Sequence, residues 1–213
     1  MIKLGIIGCG VIGQTHIQTA AVLPGVSIVA LADLREAVVR EVAAKFNVPQ
    51  TYNTAAALLA NTQVDAVIIA LPTAGRVQVV LQALAAGKHL LVEKPIGMNA
   101  DEVRQMIAAR GDRIAGCCQS RMRLTTGART ATEFIAQGSL GDLRVIRCRA
   151  WAAAGPPPPQ LPPVWRLNKQ LNGGGILVNW GCYDLDYLLG LTGWRLQPRH
   201  VLAQTWQIGR AHV

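Results

Sequence analysis

Lys94 closes the apolar run Leu90-Leu91-Val92-Glu93-Lys94-Pro95. The chain opens with another apolar run, Ile2 to Ile7, that feeds Gly8-Cys9-Gly10-Val11-Ile12-Gly13. A strand entering a G-x-G-x-x-G turn that opens a helix suits a dinucleotide, with the pyrophosphate resting on the helix N-terminus. Gly8 permits the tight turn, Gly10 lets backbone approach the pyrophosphate, and Gly13 lets helix pack on strand. Alone, this spacing is weak evidence. Here an acid, Asp33, stands 20 residues beyond Gly13 at the end of a second apolar run. A carboxylate at that place accepts both ribose hydroxyls and favours NAD over a 2′-phosphate. Arg35, two residues on, keeps NADP open.

Val11 and Ile12 inside the turn, Leu71 and Pro72 at the end of a fourth strand, and Glu93 are further cofactor-contact candidates. Glu93 is also readable as a surface partner of Lys94. A lysine at the carboxyl end of a strand projects into the crevice where open α/β sheets bind ligands. Its ammonium could hold a substrate hydroxyl and stabilise a developing alkoxide as hydride leaves. The plain alternative is a strand-end surface lysine.

A second set lies on the segment after Gly173-Gly174-Gly175. Asn179, Tyr183 and Asp186 fall at i, i+4 and i+7, one stripe of a helix. Arg121 and the pair Trp165-Arg166 either line a pocket or pack. The four histidines, His16, His89, His200 and His212, read as structural, and no spacing suggests a metal site.

The elements that must position these residues alternate through the first 120. Strands are expected at Ile2 to Ile7, Val26 to Ala32, Thr51-Tyr52, Val64 to Leu71, His89 to Val92 and Arg113 to Cys117. Between them the 3.6-residue spacing predicts helices, including Arg35 to Phe46, Arg76 to Ala86 and Asp101 to Arg110. Repeated βα units argue for a doubly wound parallel sheet in a nucleotide-binding domain over 1–120. Over 121–213 the register changes. A helix over Ala128 to Gln137, a half-exposed strand over Leu143 to Trp151, a proline-stiffened loop around 156–163, a helix after the glycines and a possible strand at Arg199 to Thr205 indicate part of a second, substrate or oligomerisation domain. One or two strands cannot make an independently stable sheet.

Bulk properties exclude several classes. With 51% hydrophobic and 15% charged residues the chain can bury a core and is not disordered. No apolar run approaches the ~20 residues that span a bilayer, so no membrane partner is expected. The start lacks a signal-peptide pattern and the five cysteines show no disulfide-like framework, which makes a reducing cytoplasm the default. The net charge is +9, concentrated beyond residue 120, where eleven Lys/Arg face four Asp/Glu. The arginines are scattered without interleaved aromatics, so nucleic acid is not the expected partner.

The glycine turn, Asp33, Gly87-Lys88-His89 leading into Glu93-Lys94-Pro95, and the triple-glycine helix together resemble the Gfo/Idh/MocA oxidoreductases over residues 1 to about 205. The resemblance implies a Rossmann domain followed by an α+β domain with an open, mainly antiparallel sheet. It also implies hydride transfer between NAD(P) and a sugar, cyclitol or related polyol, a homo-oligomeric full-length protein, and Lys94 as the catalytic lysine. Two departures qualify it. The family helix commonly reads Asp-x-Gly-x-His, whereas this chain has Asn179-Trp180-Gly181-Cys182-Tyr183. Tyrosine serves as acid or base only if its pKa falls from ~10, and a nearby ammonium pushes it that way. Arg76 also stands where many members carry His. The second departure is length, for members usually continue past this point. The final Ile208 to Val213 reads like adapter sequence, suggesting a truncated gene fragment. Two rival readings follow: a non-catalytic nucleotide-binding sensor or scaffold, or a fragment that binds cofactor without turning over.

Overall fold

The computed structural model describes residues 1–149 and 163–204. It divides into two compact units, Met1–Cys118 and Gln119–Val213.

In the first unit, β1 (Ile2–Ile7), β2 (Val26–Ala32), β3 (Gln50–Tyr52), β4 (Ala66–Ile69), β5 (His89–Val92) and β6 (Ala115–Cys117) form one sheet. Its order is β3-β2-β1-β4-β5-β6 and every pairing is parallel. The order reverses between β1 and β4, which opens the crevice where doubly wound sheets bind ligands. The helices that return the chain are α1 (Val11–Ala21), α2 (Glu36–Phe46), α3 (Ala55–Leu59), α4 (Arg76–Ala85) and α5 (Ala100–Ala109).

Strand alternation sorts the core onto two faces. Ile7, Ala30, Ala32, Val67 and Ile69 point one way and pack with Leu58, Val77, Val80 and Met106 from α3, α4 and α5. Ile6, Leu31 and Ile68 point the other way and pack with Ile17, Val39 and Val42 from α1 and α2. Both faces are therefore covered, as a wholly parallel sheet requires.

Local chemistry sets the ends of these helices. Asn47 caps α2 in the left-handed region at φ 55°, the role a small polar residue can fill after a helix. Thr54 and Asn99 cap α3 and α5 by accepting from Ala57 N–H and Glu102 N–H. Lys88 is buried and donates its ammonium to the Asn61 and Val64 carbonyls at 2.8 and 2.7 Å, which ties the start of β5 to the loop entering β4.

The described part of the second unit is helical. A 3₁₀ segment (Cys118–Leu124) leads into α6 (Thr126–Ala136); α7 (Val164–Leu167), α8 (Lys169–Asn172) and α9 (Ile176–Leu191) follow. The strand expected over Leu143 to Trp151 is not formed in its described residues, 143–149, which carry no regular structure. Alternation alone does not make a strand; a ladder needs a partner, and none exists among the described residues of this unit. The antiparallel sheet implied by the resemblance is likewise not among them. The proline-rich loop up to residue 162 and the end of the Arg199 to Thr205 segment lie outside the described residues, as does the stretch from Ile208 to Val213.

Candidate functional site

The sheet register places the first unit's candidates on one edge. Ile7 pairs with Ala32 on one side and Ile69 on the other, and Ile69 pairs with Val92. The next residues, Gly8, Asp33, Ala70 and Glu93, therefore leave the sheet at one level. From Asp33 to Glu93 is three inter-strand steps, about 14 Å at the usual strand spacing. That is a span suited to an extended dinucleotide.

The glycine turn shows why each glycine is there. Gly8 has φ 99°, and a Cβ on it would lie 2.5 Å from the Ala70 carbonyl oxygen. A Cβ on Gly13 would lie 1.9 Å from the Gly8 carbonyl oxygen, so α1 could not seat against the turn. At Gly10 a Cβ would meet nothing within 4 Å, leaving open space beside the helix start. Gly10 offers no side-chain cap, and the first turn of α1 contains no acid. Its leading N–H groups have no acceptor within the helix and suit an anion. Val11 and Ile12 are exposed there, Val11 at 82%. These features fit a pyrophosphate.

Asp33 is the hub at the β2 side of this edge. Its Oδ2 accepts the Cys9 N–H at 2.9 Å, tying the glycine turn to the end of β2. Its Oδ1 accepts the Arg35 N–H at 3.0 Å, and the Arg35 guanidinium folds onto both oxygens at 3.1 and 3.2 Å. Burial opposes ionisation of Asp33, but the Arg35 and Cys9 hydrogen bonds outweigh it and hold the carboxyl below its ordinary range. Burial and the neighbouring Asp33 charge push the Cys9 thiol up to about 12, so it is not a nucleophile.

At the other end, Glu93 gathers three donors. His16 Nε2, from α1, lies 2.9 Å from Oε1, and the Lys94 N–H donates to Oε2 at 3.0 Å. The Cys118 thiol also hydrogen-bonds this carboxyl. Burial works against the charge, but these donors win and keep Glu93 ionised below the ordinary glutamate range. An ionised carboxylate only accepts, so His16 Nε2 carries a proton. Burial, then the Glu93 charge, raises the Cys118 thiol to about 12.

His16, Glu93 and Cys118 offer nitrogen, oxygen and sulfur atoms within 4.8 Å of one another. Linear spacing gives no sign of this convergence, because the three come from α1, the end of β5 and the end of β6. The donors are engaged with one another. Lys94 itself is half-buried, and its peptide bond to Pro95 is cis.

Arg76, the first residue of α4, is 2% exposed. It donates to the Leu71 carbonyl from Nε at 3.1 Å and also from Nη2. Its Nη1 donates to the Glu93 carbonyl at 2.6 Å and to that of Pro95. It thus links the Leu71-Pro72 turn to the Glu93–Pro95 turn.

The second unit holds the other candidates. Tyr183 is 5% and Asp186 4% exposed on α9. Asn179 shares their helix one turn earlier. The Arg121 guanidinium lies 4.1 Å from the Tyr183 ring centroid and 5.7 Å from that of Trp180, a cation–π contact that orders the phenol. Trp180 meets Tyr183 edge-on at 5.9 Å. Asp186 is taken up by Arg123, whose Nε donates at 2.7 Å and Nη2 at 3.5 Å. That ion pair orders the Asp186 carboxylate on α9. Gly190 makes room for Arg123, since a Cβ there would lie 2.0 Å from its Cδ. Trp165 and Arg166 sit on α7, with the guanidinium 5.8 Å from its neighbour's ring. Among the described residues no helix is long and apolar enough to cross a membrane.

Comparison with known proteins bears on the family and the fold. The family model described as "Oxidoreductase family, NAD-binding Rossmann fold" (Gfo/Idh/MocA) matches residues 2–113. The Gfo/Idh/MocA C-terminal domain matches residues 128–212. Trans-1,2-dihydrobenzene-1,2-diol dehydrogenase of Mus musculus is 32% identical over 99% of this chain and 61% of its own length. Myo-inositol 2-dehydrogenase of Thermotoga maritima is 28% identical over 88% of this chain and 55% of its own. The crystal structure of an NAD binding oxidoreductase from Klebsiella pneumoniae has a TM-score of 0.73 at 28% identity, covering 90% of this chain and 53% of that one. An oxidoreductase domain protein from Kribbella flavida has a TM-score of 0.78 at 26% identity, with 90% and 54% covered. The chain thus spans 53–61% of the length of these proteins. On the match of both domain models and the glycine-turn sheet edge, the chain belongs to the Gfo/Idh/MocA family of oxidoreductases.

Proposed function

We propose that the complete protein is an NAD-dependent oxidoreductase that moves hydride between the nicotinamide and a ring carbon bearing a hydroxyl, with Lys94 as the group at the reacting oxygen. One observation carries the reading: the glycine turn, Asp33 and Glu93-Lys94 leave one edge of a parallel sheet, on either side of its switch point. When bound, the nicotinamide supplies the two-electron acceptor. This chain's residues do the rest. The open N-terminus of α1 would hold the pyrophosphate, and Asp33 would receive the ribose hydroxyls in place of the Arg35 guanidinium. The Arg35 side chain is mostly exposed beside Asp33, which keeps NADP as a poorer second cofactor.

Lys94 would donate a hydrogen bond to the substrate oxygen and stabilise the alkoxide that develops as hydride departs. Tyr183 would share the proton, and Asn179 would orient a neighbouring hydroxyl without itself acting as a base. Two relatives are named for a cyclic vicinal diol and for myo-inositol. Cyclic polyols with adjacent hydroxyls are therefore the substrate class we assign, with open sugars behind them.

The test is a panel of cyclitols, cyclic diols and sugars with NAD or NADP, read as absorbance at 340 nm. A rise with NAD and at least one cyclic polyol is expected. No change with any substrate in either direction, in a protein that binds NADH, would instead support a nucleotide-binding sensor.

A further inference from the structure

We infer that Arg76 is a positioning residue whose buried guanidinium clamps the turn carrying Lys94 to the turn that ends β4, fixing where the lysine ammonium is presented. The inference rests on the role proposed above for Lys94 and adds what holds that lysine in place.

The carbonyls Arg76 engages are the ones a clamp would need. Those of Glu93 and Pro95 flank Lys94 on both sides, and that of Leu71 belongs to the neighbouring strand's turn. All three lie beyond the ends of β4 and β5, where the sheet ladder no longer satisfies backbone oxygens. Three carbonyls converging on one point require several donors in a fixed plane. Arginine has five N–H groups in such a fork, and lysine has only a compact ammonium.

A buried guanidinium without a carboxylate hydrogen-bonded to it is costly unless its donors are used. Here the backbone uses them. Burial lowers the Arg76 pKa to about 10 against the opposing pull of Glu93, so the clamp stays cationic at neutral pH. The same turn is gripped from its other side, through the Glu93 side chain, by His16 and Cys118. Lys94 is thus bracketed: its preceding residue is held by side chain and carbonyl alike, and its following residue by the carbonyl. The contacts that hold the dinucleotide's adenosine half, at Asp33 and the glycine turn, do not involve Arg76. Leu71 and Glu93, cofactor-contact candidates themselves, would shift with the clamp, but the cofactor would keep Asp33 and the glycine turn, so its loss should loosen the lysine more than the cofactor.

The test uses Arg76→Met and Arg76→Lys in the complete protein, with three readouts. Hydrogen–deuterium exchange across 90–98 and 70–75 should quicken by about tenfold or more in Arg76→Met while peptides of β1 and β2 stay protected, the pattern of local opening. NADH affinity, by fluorescence, should change by less than about threefold, whereas kcat should fall by about 10- to 100-fold, the cost of a reacting group displaced by an ångström or so. Arg76→Lys, which keeps the charge and loses the fork, should show the same pattern more weakly, and it carries the test if Arg76→Met does not fold. Unchanged exchange across 90–98, or exchange that rises equally in β1 and β2, would overturn the clamp. So would kcat and NADH affinity falling in parallel. If the unsubstituted protein turns over no polyol, the assignment of Lys94 fails on its own. The exchange pattern then decides whether Arg76 holds the turn.

Discussion

At the scale of single residues, the β2 and β5 sides of the sheet's carboxyl edge are each organised by a carboxylate that accepts a backbone N–H group. Asp33 holds the Cys9 N–H and Glu93 holds the Lys94 N–H. Each keeps its charge against burial because donors surround it. The consequence is a pH dependence of defined sign. A carboxyl whose folded pKa is depressed contributes stability that is fully present above its unfolded pKa and is lost as pH falls through the folded value. For Glu93 that loss begins near the ordinary glutamate range and continues below it. Replacing Glu93 with Gln should lower Tm at pH 7 and flatten the fall in Tm between about pH 5 and 3. Equal slopes for Glu93→Gln and the unsubstituted protein, followed by calorimetry, would contradict the arrangement. Asp33 keeps its own contribution in both.

At the scale of elements, the first unit was readable because each strand and helix carries its own period. Ile6 and Ile7 point to opposite cores as a period of two requires, and Val39, Val42 and Ala43 fall on one buried stripe of α2. What could not be read is what depends on partners distant in sequence. His16 and Glu93 are 77 residues apart, so a histidine that looked merely structural proves to hold the carboxylate beside Lys94. The alternating segment from Leu143 had the period of a strand and no strand to pair with among the described residues. The short helix α8 carries a local signal, since Asn168 caps it by accepting the Gln170 N–H. Lys88 belongs to this scale too. It was visible as part of the Gly87-Lys88-His89 run, but its work joining two strand entries was not. Lys88→Met should cost about 2–3 kcal/mol by leaving two carbonyls without their charged donor. Chemical denaturation measures this, and a change below about 0.5 kcal/mol, typical of a neutral surface substitution, would show that the ammonium contributes no such tie.

At the scale of the molecule, the two units differ in make-up among the described residues. The first unit has a closed sequence of six parallel strands with both faces covered. The described part of the second unit has helices whose polar residues pair within that unit, Arg123 with Asp186 and Arg121 over Tyr183. On the function proposed above, catalysis would turn on Lys94, which follows β5 in the first unit. The measurement that bears most directly on this is steady-state turnover of Lys94→Ala in the complete protein, alongside its NADH affinity. kcat should fall by about a hundredfold or more, the usual worth of a positioned proton-transfer group, while NADH affinity stays within about threefold. Turnover equal to that of the unsubstituted protein, with the cofactor bound, would contradict the role proposed for Lys94.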